Sequence, residues 1–216
     1  MIAEINHKTS NVMLSHTECL EDELTGDFFG TLRYFPYLRG LHRILLKYAV
    51  SYDKAFRSII EGISTDEYFD IEFWKKSKNN YGEMDAYLSV ENVRIGIDNI
   101  YRCPPFDDNQ QLIRDAKMMN EWCETEEMLL LLVAKEEDTR KIYIANCKKP
   151  HFQTVHFGFI TWENIFLGLD EIQTKTKYEE IIVQDLKSLL KAKGFMAFEG
   201  FNVQTVVDGG QFYDFG

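Results

Sequence analysis

Asp85 and Asp98 are the residues of this chain whose type and placement could do chemistry. Residues 84–90 alternate: Met84, Ala86, Leu88 and Val90 share one face, and Asp85, Tyr87 and Ser89 share the other. Residues 93–98 alternate again, with Val93, Ile95 and Ile97 opposite Arg94, Gly96 and Asp98, and Glu91-Asn92 fits a tight turn between the two runs. One hairpin would therefore carry both carboxylates on polar faces. Paired carboxylates supply the oxygen ligands that a hard cation such as Mg²⁺, or in its place Mn²⁺, requires. Such a cation activates water and offsets charge on a phosphoryl group in transfer. Until it binds, each carboxylate raises the other's pKa. On spacing alone, two solvent-face residues of a half-exposed hairpin describe the pair better.

Other elements must hold that hairpin. Leu20, Leu24, Phe28, Leu32 and Phe35 recur at helical spacing and stop at Pro36, which predicts a helix able to lean Glu21 over the carboxylates. A second helical pattern begins with Leu38, Leu41, Leu45, Tyr48 and Ala49 and extends to Ile60. Residues 103–109 read as a loop around Pro104-Pro105, followed by a helix with Leu112, Ala116 and Met119. The apolar run 128–134 reads as a buried central strand, and residues 141–145 and 154–159 as further strands. Glu136-Glu137-Asp138 and Asp170-Glu171 read as acidic turns, and Trp162 as a core residue opening a helix. Residues 178–193 form a helix with Ile182, Leu186, Leu189 and Leu190 inward, closed by Gly194. This order predicts an α/β or α+β sheet with flanking helices. No repeat or linker divides the chain, so one domain spans residues 1–216, with 1–15 as a lead-in strand or loose arm.

Five segments carry a resemblance. They are Leu20-Glu-Asp-Glu-Leu-Thr-Gly-Asp-Phe-Phe-Gly-Thr-Leu-Arg-Tyr-Phe-Pro36, Gly82-Glu-Met-Asp85, Ile95-Gly-Ile-Asp98-Asn-Ile-Tyr101, Gln111-Leu-Ile-Arg114, and Gly194-Phe195 with Phe198-Glu-Gly-Phe201. In this order they resemble restriction-endonuclease-like proteins of the PD-(D/E)XK nuclease superfamily. The resemblance covers most of the chain, and its first motif is the longest. It implies a mixed central sheet flanked by helices and a Mg²⁺-dependent endonuclease acting on DNA, in defence within a prokaryotic cytoplasm. Many nucleases of this fold pair as homodimers. The resemblance makes Glu21 the helix acid near the metal, Asp85 the central ligand and Asp98 the second acid. The Asn99 carbonyl becomes a further ligand and Gln111 a supporting residue, with Asp27 and Arg114 as weaker candidates.

The departure falls at Ile100, where the family pattern has a lysine two residues after the second acid. Period-two geometry places that residue on the Asp98 face, aimed into the site. An ammonium there positions water and stabilises the charged transition state. Losing one such preorganised donor costs about 100- to 1000-fold in rate. Arg94, Arg102, Arg114 or a lysine from elsewhere would have to fill in. The alternative is a catalytically impaired relative that works as a binding or interaction module.

Composition sets the outer limits. The 216 residues are 45% hydrophobic and 14% aromatic, enough for a sizeable core. The net charge of -11 argues against strong non-specific binding to nucleic acid but leaves room for a local basic groove. Lys75-Lys-Ser-Lys78 could touch phosphates, although a solvated loop describes it better. Lys148-Lys149-Pro150-His151 has the same standing, and His156 reads as packed in an aromatic strand. The four cysteines form no CxxC pair, which suits free thiols in a reducing cytoplasm rather than a zinc site. No signal-peptide pattern opens the chain, and no apolar run reaches the length of a membrane span.

Overall fold

The apolar run becomes β4 (Glu127–Ala134), a strand buried on both faces and parallel to both neighbours. Its Leu-Leu-Leu-Leu-Val-Ala sequence suits that position, because a parallel strand between two helical layers has no polar face. The computed structural model describes residues 16–65, 68–100 and 108–195, excepting the side chains of 16–21, 108–109 and 136–138.

Ahead of the sheet come α1 (His16–Leu32), a short 3-10 turn (Tyr37–Arg39), α2 (Leu41–Tyr48) and α3 (Lys54–Gly62). Then follow β1 (Asp70–Lys76), β2 (Glu83–Val90), β3 (Val93–Ile100), α4 (Asp108–Trp122), β4, α5 (Glu136–Asn146), β5 (His156–Thr161), α6 (Trp162–Gly168) and α7 (Lys177–Ala192). Among the described residues five strands lie in sequence order: β1, β2 and β3 are antiparallel, and β3, β4 and β5 are parallel. The molecule is thus a mixed α/β structure with helices on both faces of a mixed sheet.

On the first face, Leu24, Phe28, Phe29 and Leu32 of α1 pack with α2, α3, α6 and α7 over Ala86, Leu88, Ile95, Ile97, Leu129, Leu131 and Val133. On the second face, Leu112, Ala116, Met118 and Met119 of α4 and Tyr143 of α5 cover Tyr87, Leu130, Leu132, Phe157 and Phe159. Gly96 lets α4 come close: a Cβ there would stand 2.8 Å from Met119 Sδ.

Several expectations are corrected. The second helical pattern is two helices, not one reaching Ile60. Val50 leaves the first to exchange backbone hydrogen bonds with Phe159, and Asp53 caps the second by accepting from the Ala55 N–H at 2.9 Å. Residues 70–76 form an edge strand that the charged sequence had not shown. Residues 141–145 are helical, inside α5, whose buried positions Thr139, Tyr143 and Asn146 follow helical spacing. Met84 does not share the Ala86 face; it packs in the second cluster beside Tyr87. The ladder falters there. Its register runs from Phe73↔Ala86 to Lys75↔Met84, and the intervening Trp74 has φ 50°. The lead-in segment 1–15 lies outside the described residues.

Candidate functional site

Asp85 and Asp98 come together where the antiparallel β2–β3 ladder ends. The last paired residues are Ala86 and Ile97, and beyond them the Asp85 carboxylate takes over the backbone's role. Its Oδ2 accepts from the Asn99 backbone N–H at 2.7 Å. Asp98 is buried, and its Oδ1 accepts from Gln111 Nε2 of α4 at 2.7 Å. The sequence-derived grouping of Asp85, Asp98, Asn99 and Gln111 is therefore a spatial one. It sits at the carboxyl end of β3, the edge where open α/β sheets bind ligands.

The Asn99 side chain points the other way and is committed to structure. Nδ2 donates to Thr25 Oγ1 of α1 at 2.8 Å, and Oδ1 accepts from Trp162 Nε1 of α6 at 2.9 Å. Both Thr25 and Asn99 are buried, so these bonds replace the water each group would lose on folding. They tie the end of β3 to two helices of the first face.

Asp115 is the residue the sequence reading missed. It follows Gln111 by one helical turn and so shares its face, which is the signal that could have found it. Only 3% of it is exposed, and its Oδ2 has no hydrogen-bond partner among the described residues. Burial, then the charges of Asp98 and Asp85, push its pKa well above the ordinary carboxylate range; Arg114 opposes them weakly. Three carboxyl groups thus influence one another at this edge. Among the described residues, no three His, Cys, Asp or Glu side chains stand close enough to hold a metal ion between them. Glu21 belongs to α1, but its side chain is outside the described residues. Asp27 is half-buried on the same helix.

Ile100 keeps the Asp98 side of the sheet and packs, partly buried, against the second core cluster. The described candidates for supplying its missing charge come from different elements. Arg94 is at the opposite end of β3, bound to the Glu91 and Val93 carbonyls and to Glu126. Arg114 is exposed on α4, and Arg102 lies outside the described residues. Lys135 directly follows Ala134, the β4 partner of Ile100, with its Nζ 5.7 Å from the Phe195 ring centroid. Trp74, whose left-handed backbone lies in the ladder gap opposite Asp85, is a bulky residue in a strained conformation. Strain of this kind clusters at functional sites.

No protein-family model, no curated protein and no solved structure matches the chain. No helix among the described residues is long and apolar enough to cross a membrane.

Proposed function

We propose that the protein is a divalent-metal-dependent nuclease of the restriction-endonuclease-like type, cutting DNA in prokaryotic defence. The observation that carries this reading is the meeting of Asp85, Asp98, Gln111 and Asp115 at the carboxyl end of β3. The donor set is all oxygen, which fits Mg²⁺ or Mn²⁺. A buried carboxyl oxygen without a partner among the described residues, beside two further acids, destabilises the fold unless something draws on it. Asp85 and Asp98 would hold the cation, with the Asn99 carbonyl and Glu21 as further oxygen donors. Bound, it would supply an activated water and offset charge at the phosphate. The chain's own contribution is positional. Gln111 fixes the Asp98 carboxylate, and the Asn99 amide fixes that of Asp85. Free thiols such as Cys123 and Cys147 fit a reducing cytoplasm.

The test is incubation with supercoiled plasmid and Mg²⁺ or Mn²⁺, beside Asp85→Ala. Nicking should fall at least about 100-fold in the variant. Equal cleavage by both proteins rejects the assignment.

Ile100 favours a second reading, a relative that binds DNA or a partner without cutting, because an apolar side chain occupies the place of a charge donor. That reading expects divalent binding by calorimetry and DNA binding by anisotropy, with no cleavage by wild type in either metal.

A further inference from the structure

Several cations on the first helical face of the sheet are paired with carboxylates. Arg39 pairs with Glu179, Lys47 with Glu171, Arg57 with Glu61, Lys187 with Asp170 and Lys193 with Glu23. Across the sheet, Arg114 and Lys117 on α4 and Lys78 at the β1–β2 tip are exposed, and none forms an ion pair with a carboxylate among the described residues. Other exposed cations, Lys54 and Lys141 among them, also form no ion pair among the described residues, so it is the position of these three beside the acids that distinguishes them.

Their placement is ordered. Gln110, Arg114, Lys117 and Glu121 recur at helical spacing and form one stripe along α4, with Gln111 at its edge. At one end, Gln111 holds Asp98, and the charge of Arg114 reaches Asp115. At the other end, Glu121 clamps the β1–β2 tip. Its carboxylate accepts from Ser77 Oγ at 2.8 Å, from the Lys78 and Asn79 backbone N–H groups at 2.6 and 3.2 Å, and from Asn79 Nδ2 at 2.8 Å. Those donors occupy the one carboxylate of the stripe and set Lys78 beside it. Between the ends, Lys117 Nζ lies 5.6 Å from the Tyr81 ring centroid. From Gln111 to Glu121 the helix rises about 15 Å, the span of a few nucleotides.

We infer that Arg114, Lys117 and Lys78 form a phosphate track that leads the backbone of a nucleic acid along α4 to Asp85 and Asp98. The inference rests on the nuclease reading above and answers a difficulty within it. An acidic site in an acidic protein repels its substrate, and a short line of free cations beside the site provides local attraction that the net charge lacks. Because the track contacts phosphates and no base edge, it takes nucleic acid of any sequence.

The test needs no metal. Fluorescein-labelled 20-nucleotide single-stranded DNA and its duplex are titrated with the full chain in EDTA, and anisotropy is followed over a salt series. The triple variant Arg114→Ala, Lys117→Ala, Lys78→Ala should bind at least about tenfold more weakly, and its slope of log K against log salt should be smaller by about 2 to 3. A control triple on the other face, Arg57→Ala, Lys177→Ala, Lys187→Ala, should bind as wild type does. All three mutated side chains of the track are exposed, so matched thermal melts separate loss of binding from loss of fold. Unchanged binding by the track variant overturns the track and leaves the nuclease reading standing. No binding of either probe by wild type also overturns the track, and the plasmid assay decides the nuclease reading separately. The two probes show which strand form the track prefers.

Discussion

On one face of the sheet, aromatic rings and ion pairs line the packing, and the Tyr37 hydroxyl is buried with no hydrogen-bond partner among the described residues. Phe28 meets Phe29 and Trp162 edge-on at 5.1 and 5.3 Å, and Arg39 makes a two-pronged contact with Glu179. On the other face, α4 buries Asp115 near two acids that help raise its pKa, and turns outward cations that form no ion pair among the described residues. Both faces bury apolar surface, so hydrophobic burial alone does not separate them. The crowding of carboxyl groups does, since Asp115 feels the charges of Asp98 and Asp85 at one edge of the second face. Perturbed acids gathered at a sheet edge are groups available to something outside the chain.

The sharpest way to break this contrast is to damage the first face. Phe28→Ala should cost about 3–5 kcal/mol in a urea melt, through lost burial and the cavity left behind. Metal or DNA affinity per folded molecule should not change; a change would mean that the faces are not separable. Asn99→Leu comes next. It leaves Thr25 Oγ1 and Trp162 Nε1 without their partners, at about 2–4 kcal/mol. A smaller loss, about 1.5–3 kcal/mol, is expected for Glu179→Gln. Hydrogen bonds from Arg39 and the Lys175 backbone bring the Glu179 pKa down to about 2. A depressed carboxylate contributes stability that is present above its unfolded pKa and lost as pH falls through the folded one. Wild type should therefore lose this share between about pH 4.5 and pH 2, and the acid limb of the variant's melting curve should be flatter.

Asp115→Asn should act in the opposite direction. A carboxyl whose folded pKa is raised contributes most below its unfolded pKa, and the contribution is lost as pH rises through the folded value. The wild-type Tm should carry a fall with rising pH that the variant lacks, leaving Asp115→Asn the more stable protein at neutral pH. A less stable Asp115→Asn at neutral pH would place Asp115 among ordinary structural carboxylates. The smallest effect belongs to Lys177→Ala, whose exposed pair with Glu180 is worth less than about 0.5 kcal/mol.

The sequence made the hairpin legible because its alternation and the Glu91 turn are local; Glu91 does adopt φ 47°. It made β4 and α7 legible for the same reason, as a long apolar run and a helical stripe closed by Gly194 at φ 87°. Edge strand β1 was hidden because among the described residues only one of its sides is paired, so Asp-Ile-Glu-Phe-Trp-Lys-Lys carries little burial signal. Helix α5 was misread because Ile142-Tyr143-Ile144 favours strand, while the buried Thr139 and Asn146 that mark its inner face are polar. Val50 broke a helix for a partner at Phe159, far along the chain. Within the site, Asp85, Asp98 and Gln111 were legible from motif order. Asp115 lies one residue beyond the Gln111–Arg114 motif and belongs to none of its own, although helical spacing from Gln111 pointed to it.

Asn99 has a consequence for the order of assembly. It joins Thr25, 74 residues away in sequence, to Trp162, 63 residues away on the other side. Contacts of such separation close late, after loop entropy has been overcome. A partly folded chain can form the β2–β3 hairpin from local sequence and still lack the two anchors that fix where it ends. The acids then remain on a fraying ladder, and their joint geometry becomes a property of the completed molecule rather than of the hairpin.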